Sequence, residues 1–217
     1  LVGSEMCIRD RCMACVDSCS HNALQATLNE EGHIVPLIDE SKCVNCKLCE
    51  RVCPVVSKLP YSQSPVASSF AGWAKDKVVR KNSATAGAFS ALAQYVFSKG
   101  GVVCGASNVD GVLVKHICIE KVDELNKLQG SKYTQSNAEG IYKTVSVNLK
   151  QGKLVLFSGT GCQVAGLYGY LGKRKYSGRL ITVDLICGGV PSRFLIDKFI
   201  ECEPYQVKGI VSFRTKE

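Results

Sequence analysis

Two periods of apolar residues alternate along this chain, and the switch from one to the other marks out its elements. Ile141, Val145 and Leu149 recur on one helical face, which predicts a helix over 138–150 that stops at Gly152. Phe89, Leu92, Ala93 and Val96 predict a second helix, ended by Gly100 and Gly101. A strand is expected at 70–74. The segments 102–106 and 112–119, joined through Asn108 to Gly111, read as a β-hairpin. Two similar units follow. The run 154–157 reads as a buried strand, 158–162 as a tight loop, and Val164, Leu167 and Leu171 as the inward face of a helix. The run 180–186 is the next strand and 187–189 its loop, with Pro191 opening another helix at its first position.

Strand, glycine loop and helix in succession imply parallel strands with crossover helices, and in such sheets ligands sit beyond the carboxyl ends of the strands. Cys162 and Cys187 then share one edge, where a functional role and simple packing are equally open. Cys104 and Cys118 lie within strands and read as small buried hydrophobes. His116 alternates with apolar neighbours and reads as a strand-face histidine rather than a ligand. The small residues before Phe89 suit a helix start that offers amides to an anion, and equally suit ordinary caps.

The front of the chain carries a different kind of pattern. Cys43, Cys46, Cys49 and Cys53, followed by Pro54, have the spacing C-x2-C-x2-C-x3-C-P of a bacterial ferredoxin half-site, in which three thiolates grip one [4Fe-4S] cube and the fourth crosses to another. A zinc site would instead pair two separate C-x2-C knuckles. Cys12, Cys15 and Cys19 repeat Cys46, Cys49 and Cys53 at a constant offset of 34 residues. With crossed ligation one cube takes Cys43, Cys46, Cys49 and Cys19, and the other takes Cys12, Cys15 and Cys53. The partner of Cys43 falls at position 9, where Arg9 stands. Residues 1–11 resemble translated sequencing adapter and are expected to be non-native, which makes Cys7 foreign although a recruited role for it stays open.

Composition narrows the function classes. The 217 residues, 46% hydrophobic, suit an ordinary domain beside a small metal-stapled one. No apolar run reaches membrane-spanning length. Seven of the 13 cysteines follow cluster spacing, which argues for a reducing compartment, the cytoplasm by default. The net charge of +8 favours acidic or anionic partners, but Lys173-Arg174-Lys175 is the only short basic run. Without a basic stripe interleaved with aromatics, a nucleic-acid-binding reading fails. The prolines and serines of 57–69 read as a linker.

Four stretches in order carry a resemblance: Lys-Asn-Ser-Ala-Thr-Ala-Gly-Ala-Phe at 81–89, Gly-Ser-Lys-Tyr-Thr-Gln-Ser at 130–136, Phe-Ser-Gly-Thr-Gly-Cys-Gln at 157–163 and Cys-Gly-Gly-Val-Pro-Ser at 187–192. With the ferredoxin module, the chain resembles the coenzyme F420 hydrogenase/dehydrogenase beta-subunit family. The resemblance implies an α+β chain: a two-[4Fe-4S] ferredoxin domain at 12–56, then a mixed α/β domain with βα units at 70–217, cut short at its C-terminus. It implies FAD in that second domain, with clusters passing electrons to or from it. Ser83, Thr85 and Gly87 fall on the phosphate side, and Lys132, Gln135, Ser158, Gly159, Thr160 and Gln163 around the rest of the flavin, with Cys162 and Cys187 at the same edge. A redox partner, either a ferredoxin or a hydrogenase/dehydrogenase subunit, and a small-molecule acceptor are expected. Gly161 and Gly188 stand where the family usually has proline and histidine, so no role of that histidine carries over. The competing class is a scaffold or electron-transfer subunit that binds a partner protein and no flavin.

Overall fold

The computed structural model describes residues 11–57, 68–84, 86–172, 176 and 178–203. Residues 1–10 with Cys7 and Arg9, most of the 57–69 linker, Thr85 and Lys173-Arg174-Lys175 lie outside the described residues.

The front of the chain forms a small repeat. Helix α1 (Ala14–Ser18) leads into the antiparallel pair β1 (Leu24–Leu28) and β2 (Ile34–Ile38), and helix α2 (Leu48–Val52) follows. Asn29 shapes the turn between the strands, its side-chain oxygen accepting from the Glu31 and His33 amides, and Gly32 supplies the positive φ of 76°.

The second part is a five-stranded sheet in the order β5-β4-β3-β6-β7. β3 (Val102–Asp110) and β4 (Leu113–Ile119) form the expected hairpin, β5 (Ser136–Asn137) runs parallel beside β4, and β6 (Val155–Thr160) and β7 (Leu180–Leu185) continue in parallel from β3. Helices α3 (Lys77–Lys81), α4 (Ala88–Ser98), α5 (Ile141–Lys150), α6 (Gly161–Leu171) and α7 (Arg193–Cys202) complete this part, with a 3-10 helix at Val122–Lys127.

The period-two pattern sorts the strand side chains between two cores. Val103 and Leu156 face α4 and meet Ala93, Val96 and Leu125. Val102, Val155 and Phe157 face the other way, onto Tyr142, Val145 and Leu149 of α5 and Val164 and Leu167 of α6. That second core also contains Cys12, Met13, Ala14, Val16 and Val52, so the cysteine-rich module is packed directly onto α5 and α6.

The structure corrects several expectations. Residues 70–74 form no strand: Phe70 and Trp73 are exposed, and α3, capped by the Asp76 carboxylate on the Val78 and Val79 amides, follows them. Residues 158–160 are strand rather than loop, and α6 begins at once, because Gln163 Oε1 accepts from the Thr160 amide at 3.0 Å and closes the junction. Pro191 lies outside α7, where Ser192 is the cap and accepts from the Phe194 amide. Cys104 and Cys118 are joined as a disulfide instead of standing as separate hydrophobes, since the hairpin register places them directly opposite.

Candidate functional site

The two cysteine half-sites share one backbone conformation. At the two steps related by the repeat, Cys12-x-x-Cys15 and Cys46-x-x-Cys49, the residue after the first cysteine is left-handed, Met13 at φ 62°, ψ 13° and Lys47 at φ 58°, ψ 18°. Positive φ is uncommon outside glycine, so its recurrence at the same step of the repeat marks a required turn. Each turn opens a five-residue helix ending at an extended cysteine, Cys19 or Cys53. The Ala23 amide donates to Cys19 Sγ at 3.3 Å, the kind of bond that tunes a cluster sulfur. Among the described residues no three His, Cys, Asp or Glu side chains are grouped as for a single metal ion. A cube is wider than an ion and holds its sulfurs farther apart, so seven soft donors on two matched turns fit clusters rather than zinc.

Burial of these cysteines is uneven. Cys12 is buried, Cys15, Cys19, Cys49 and Cys53 are half-buried, and Cys43 and Cys46 are exposed. Burial pushes the Cys12 thiol well above its usual range, and the neighbouring Cys15, Cys162 and Cys53 sulfurs push it the same way. Burial also raises Cys15, to about 12. Unliganded, both would stay protonated; bound iron is what makes a thiolate tenable there. The Cys12 carbonyl accepts from Tyr142 Oη at 2.6 Å, and Tyr142 is fully buried.

A cavity of about 900 Å³ lies at the carboxyl ends of β6 and β7, between the starts of α4 and α6 and the loop before β5. All the motif-derived flavin residues that are described line it: Ser83, Gly87, Lys132, Gln135, Ser158, Gly159, Thr160, Cys162, Gln163 and Cys187. Their polar atoms are not all turned to the cavity. Gln135 uses both side-chain polar atoms on the Ile34 backbone, accepting at 2.7 Å and donating at 2.8 Å, and so ties the cavity wall to β2. Ser83 donates to the Val79 carbonyl and meets Ser90 Oγ at 2.8 Å, while Gln163 caps α6. Gly87, at φ 77°, is the N-cap of α4 and brings no capping side chain, and Ala88, Phe89 and Ser90 of the first turn line the cavity with it.

His116, expected from its alternation to be a strand-face histidine rather than a ligand, is buried and also lines the cavity. Its Nε2 lies 3.2 Å from the Ser158 carbonyl, which can only accept, so Nδ1 is the unprotonated nitrogen and accepts from Ser136 Oγ at 2.7 Å. Burial holds its pKa down to about 4. The missed signal was in the hairpin register: Ala106 pairs with His116, and β3 runs parallel to β6, so the carboxyl end of β3 brings His116 to the ligand edge. Lys132 donates to the Gln129 and Lys127 carbonyls, and desolvation lowers its pKa to about 8.

Comparison with known proteins places these features. Residues 6–56 match the 4Fe-4S dicluster domain family, and residues 69–142 match coenzyme F420 hydrogenase/dehydrogenase, beta subunit N-term. A chain of the F420-reducing [NiFe] hydrogenase complex from Methanosarcina barkeri is similar in fold, with a TM-score of 0.50 and 21% identity over 64% of this chain. The match spans 52%, about half, of that solved chain. No curated protein matches.

Proposed function

We propose that this chain, which joins a 4Fe-4S dicluster domain to the N-terminal domain of the coenzyme F420 hydrogenase/dehydrogenase beta-subunit family, is an iron-sulfur flavoprotein oxidoreductase or the electron-input subunit of one. In this reading residues 12–56 hold the clusters, 57–69 link, and 70–217 bind FAD. The observation that carries it is one cavity lined by every described residue that the resemblance assigns to the flavin. Its volume, about 900 Å³, suits a large cofactor.

FAD, when bound, exchanges one electron at a time with clusters and two with an organic acceptor. The chain's own residues supply position and charge. The first turn of α4 after Gly87 offers amides to a pyrophosphate, and glycine there suits the positive φ of 77° and the close approach of Ala74. Lys132, anchored by two carbonyls and with its pKa lowered to about 8 by desolvation, is a cation at the cavity wall that gives up its proton more readily than an exposed lysine. His116 is held neutral by burial, its two bonds fix the tautomer, and it keeps charge off the cavity floor. A ferredoxin, a hydrogenase or dehydrogenase subunit, and a deazaflavin or other small acceptor are the partners this reading admits, in a reducing cytoplasm.

The test is an anaerobic titration of the cluster-loaded chain with FAD, followed by flavin fluorescence and by the optical spectrum. Saturable one-to-one binding supports the reading. Intact clusters with no flavin binding would leave the scaffold alternative.

A further inference from the structure

The two cluster sites stand in very different surroundings, and the difference is directional. The set Cys12, Cys15 and Cys53 contains the one buried cluster cysteine, and Cys12 lies in the core shared with α5 and α6. Its contact with α6 is close: a Cβ placed on Gly166 would lie 2.8 Å from Cys12 Sγ and 2.9 Å from Cys12 Cβ. Cys162 is one turn earlier on α6, four residues before Gly166 and therefore on the same face, and it lines the cavity. One turn of helix thus separates the sulfur of a cluster cysteine from the cavity wall. The set Cys43, Cys46, Cys49 and Cys19 has the opposite setting. Cys43 and Cys46 are exposed, as is Val44 between them, and neither belongs to either core.

We propose that the cluster sites are ordered, with the Cys12, Cys15 and Cys53 site the inner one, meeting the cavity across the Cys162–Gly166 face of α6, and the Cys43, Cys46, Cys49 and Cys19 site the outer one, facing solvent. A one-electron carrier protein then exchanges electrons at the outer site, and the inner site exchanges them with the cavity. Each passage moves one electron, oxidising the giver and reducing the receiver by one, and two passages match one two-electron change at the cavity. The second half of this statement rests on the reading that the cavity holds FAD; the order of burial does not.

The experiment measures iron release to a ferrous chelator from the full chain carrying Arg9→Cys, which gives the inner site a fourth thiol. Release should occur in two phases differing roughly tenfold or more in rate, because exposed sites open without the core and buried ones do not. Cys46→Ala should remove the fast phase and Cys15→Ala the slow one. Saturating FAD should slow only the slow phase. A single phase, or loss of the slow phase in Cys46→Ala, overturns the order. If Cys15→Ala yields no folded chain, the Cys46→Ala result decides alone. FAD that binds and leaves the slow phase unchanged overturns the inner site's contact with the cavity. Two assigned phases with no FAD binding support the order and refute only the flavin reading.

Discussion

Gly166→Ala is the substitution that most directly tests how the cluster module is seated. Gly166 is in the interior of α6, where alanine normally gains about 1 kcal/mol over glycine. Here the added methyl would meet Cys12 Sγ at 2.8 Å, Cys12 Cβ at 2.9 Å and Tyr142 Oη at 3.2 Å. A sulfur alone could rotate away. A Cβ cannot, so the Cys12 backbone must retreat, and that backbone is held by the 2.6 Å bond from Tyr142 Oη and the left-handed turn at Met13. Overpacking of this kind costs about 1–3 kcal/mol, so after the helical gain the net change is about 0–2 kcal/mol unfavourable. The larger effect should fall on the cluster, since a ligand displaced by tenths of an ångström no longer meets its iron. The assay, made in the Arg9→Cys chain so that the Cys12, Cys15 and Cys53 site has its fourth thiol, pairs the thermal midpoint of the cluster-loaded protein with iron and acid-labile sulfide per chain after anaerobic reconstitution. The midpoint should fall by up to several degrees, and iron should fall by up to one cube's worth. A variant with full iron and a raised midpoint would show that Cys12 does not press on α6.

The remaining expectations are shorter. His116 takes up a proton only near pH 4 when folded but near pH 6.5 when unfolded, so the folded state should lose up to about 3 kcal/mol as pH falls through that window; denaturation of the parent and His116→Gln at pH 7.5 and 5 should show a smaller loss in the variant. Arg9→Cys should raise iron from near one cube per chain towards two, whereas Cys7→Ala should leave it unchanged, both read by iron analysis. Gly87→Asp should weaken FAD binding about thirty-fold or more, from 2–4 kcal/mol of like-charge repulsion at the pyrophosphate; Gly87→Asn tolerates the same positive φ without the charge, so equal weakening by both would remove the electrostatic argument.

The parts of this fold legible in its sequence are those written locally. The C-x-x-C spacing, the apolar face of Ile141, Val145 and Leu149, and the β3–β4 hairpin each need only neighbours within a few residues. The residues that the motifs assign to a flavin are gathered, where described, around one cavity because they sit at strand ends and helix starts. What was not legible depends on distant partners. Gly166 reads as a weak helix former until Cys12, 154 positions earlier, is laid against it. Gln135 reads as a ligand-facing amide until its bonds to Ile34 are seen. Cys104 and Cys118 carry no spacing signal, and only the register pairs them. The strand expected at 70–74 failed for a related reason, since propensity alone provides no ladder partner for it.

The module and the sheet domain are joined by more than contact. Helix α5 begins at Gly140, which has no side chain to cap it, and the cap comes from the module: Asp17 of α1 accepts from the amides of Gly140 at 2.5 Å and Tyr142 at 2.9 Å. An anion at a helix start is favourable, but this carboxylate is buried, and desolvation raises its pKa despite those bonds. It is tenable only while α5 stays in place to satisfy it. The start of α7 depends on the module in the same way, with the Arg193 amide donating to the Gly32 carbonyl and Ser192 Oγ to that of Glu31. A module this small draws much of its folding energy from its metal, so binding clusters also fixes the caps of α5 and α7 and the packing under Tyr142. The opposite face, where α4 meets Val103 and Leu156, contains none of the module's residues in its core. Cluster loss should therefore loosen the α5 and α6 side of the cavity first and leave the α4 wall standing, so the site's two halves differ in what holds them.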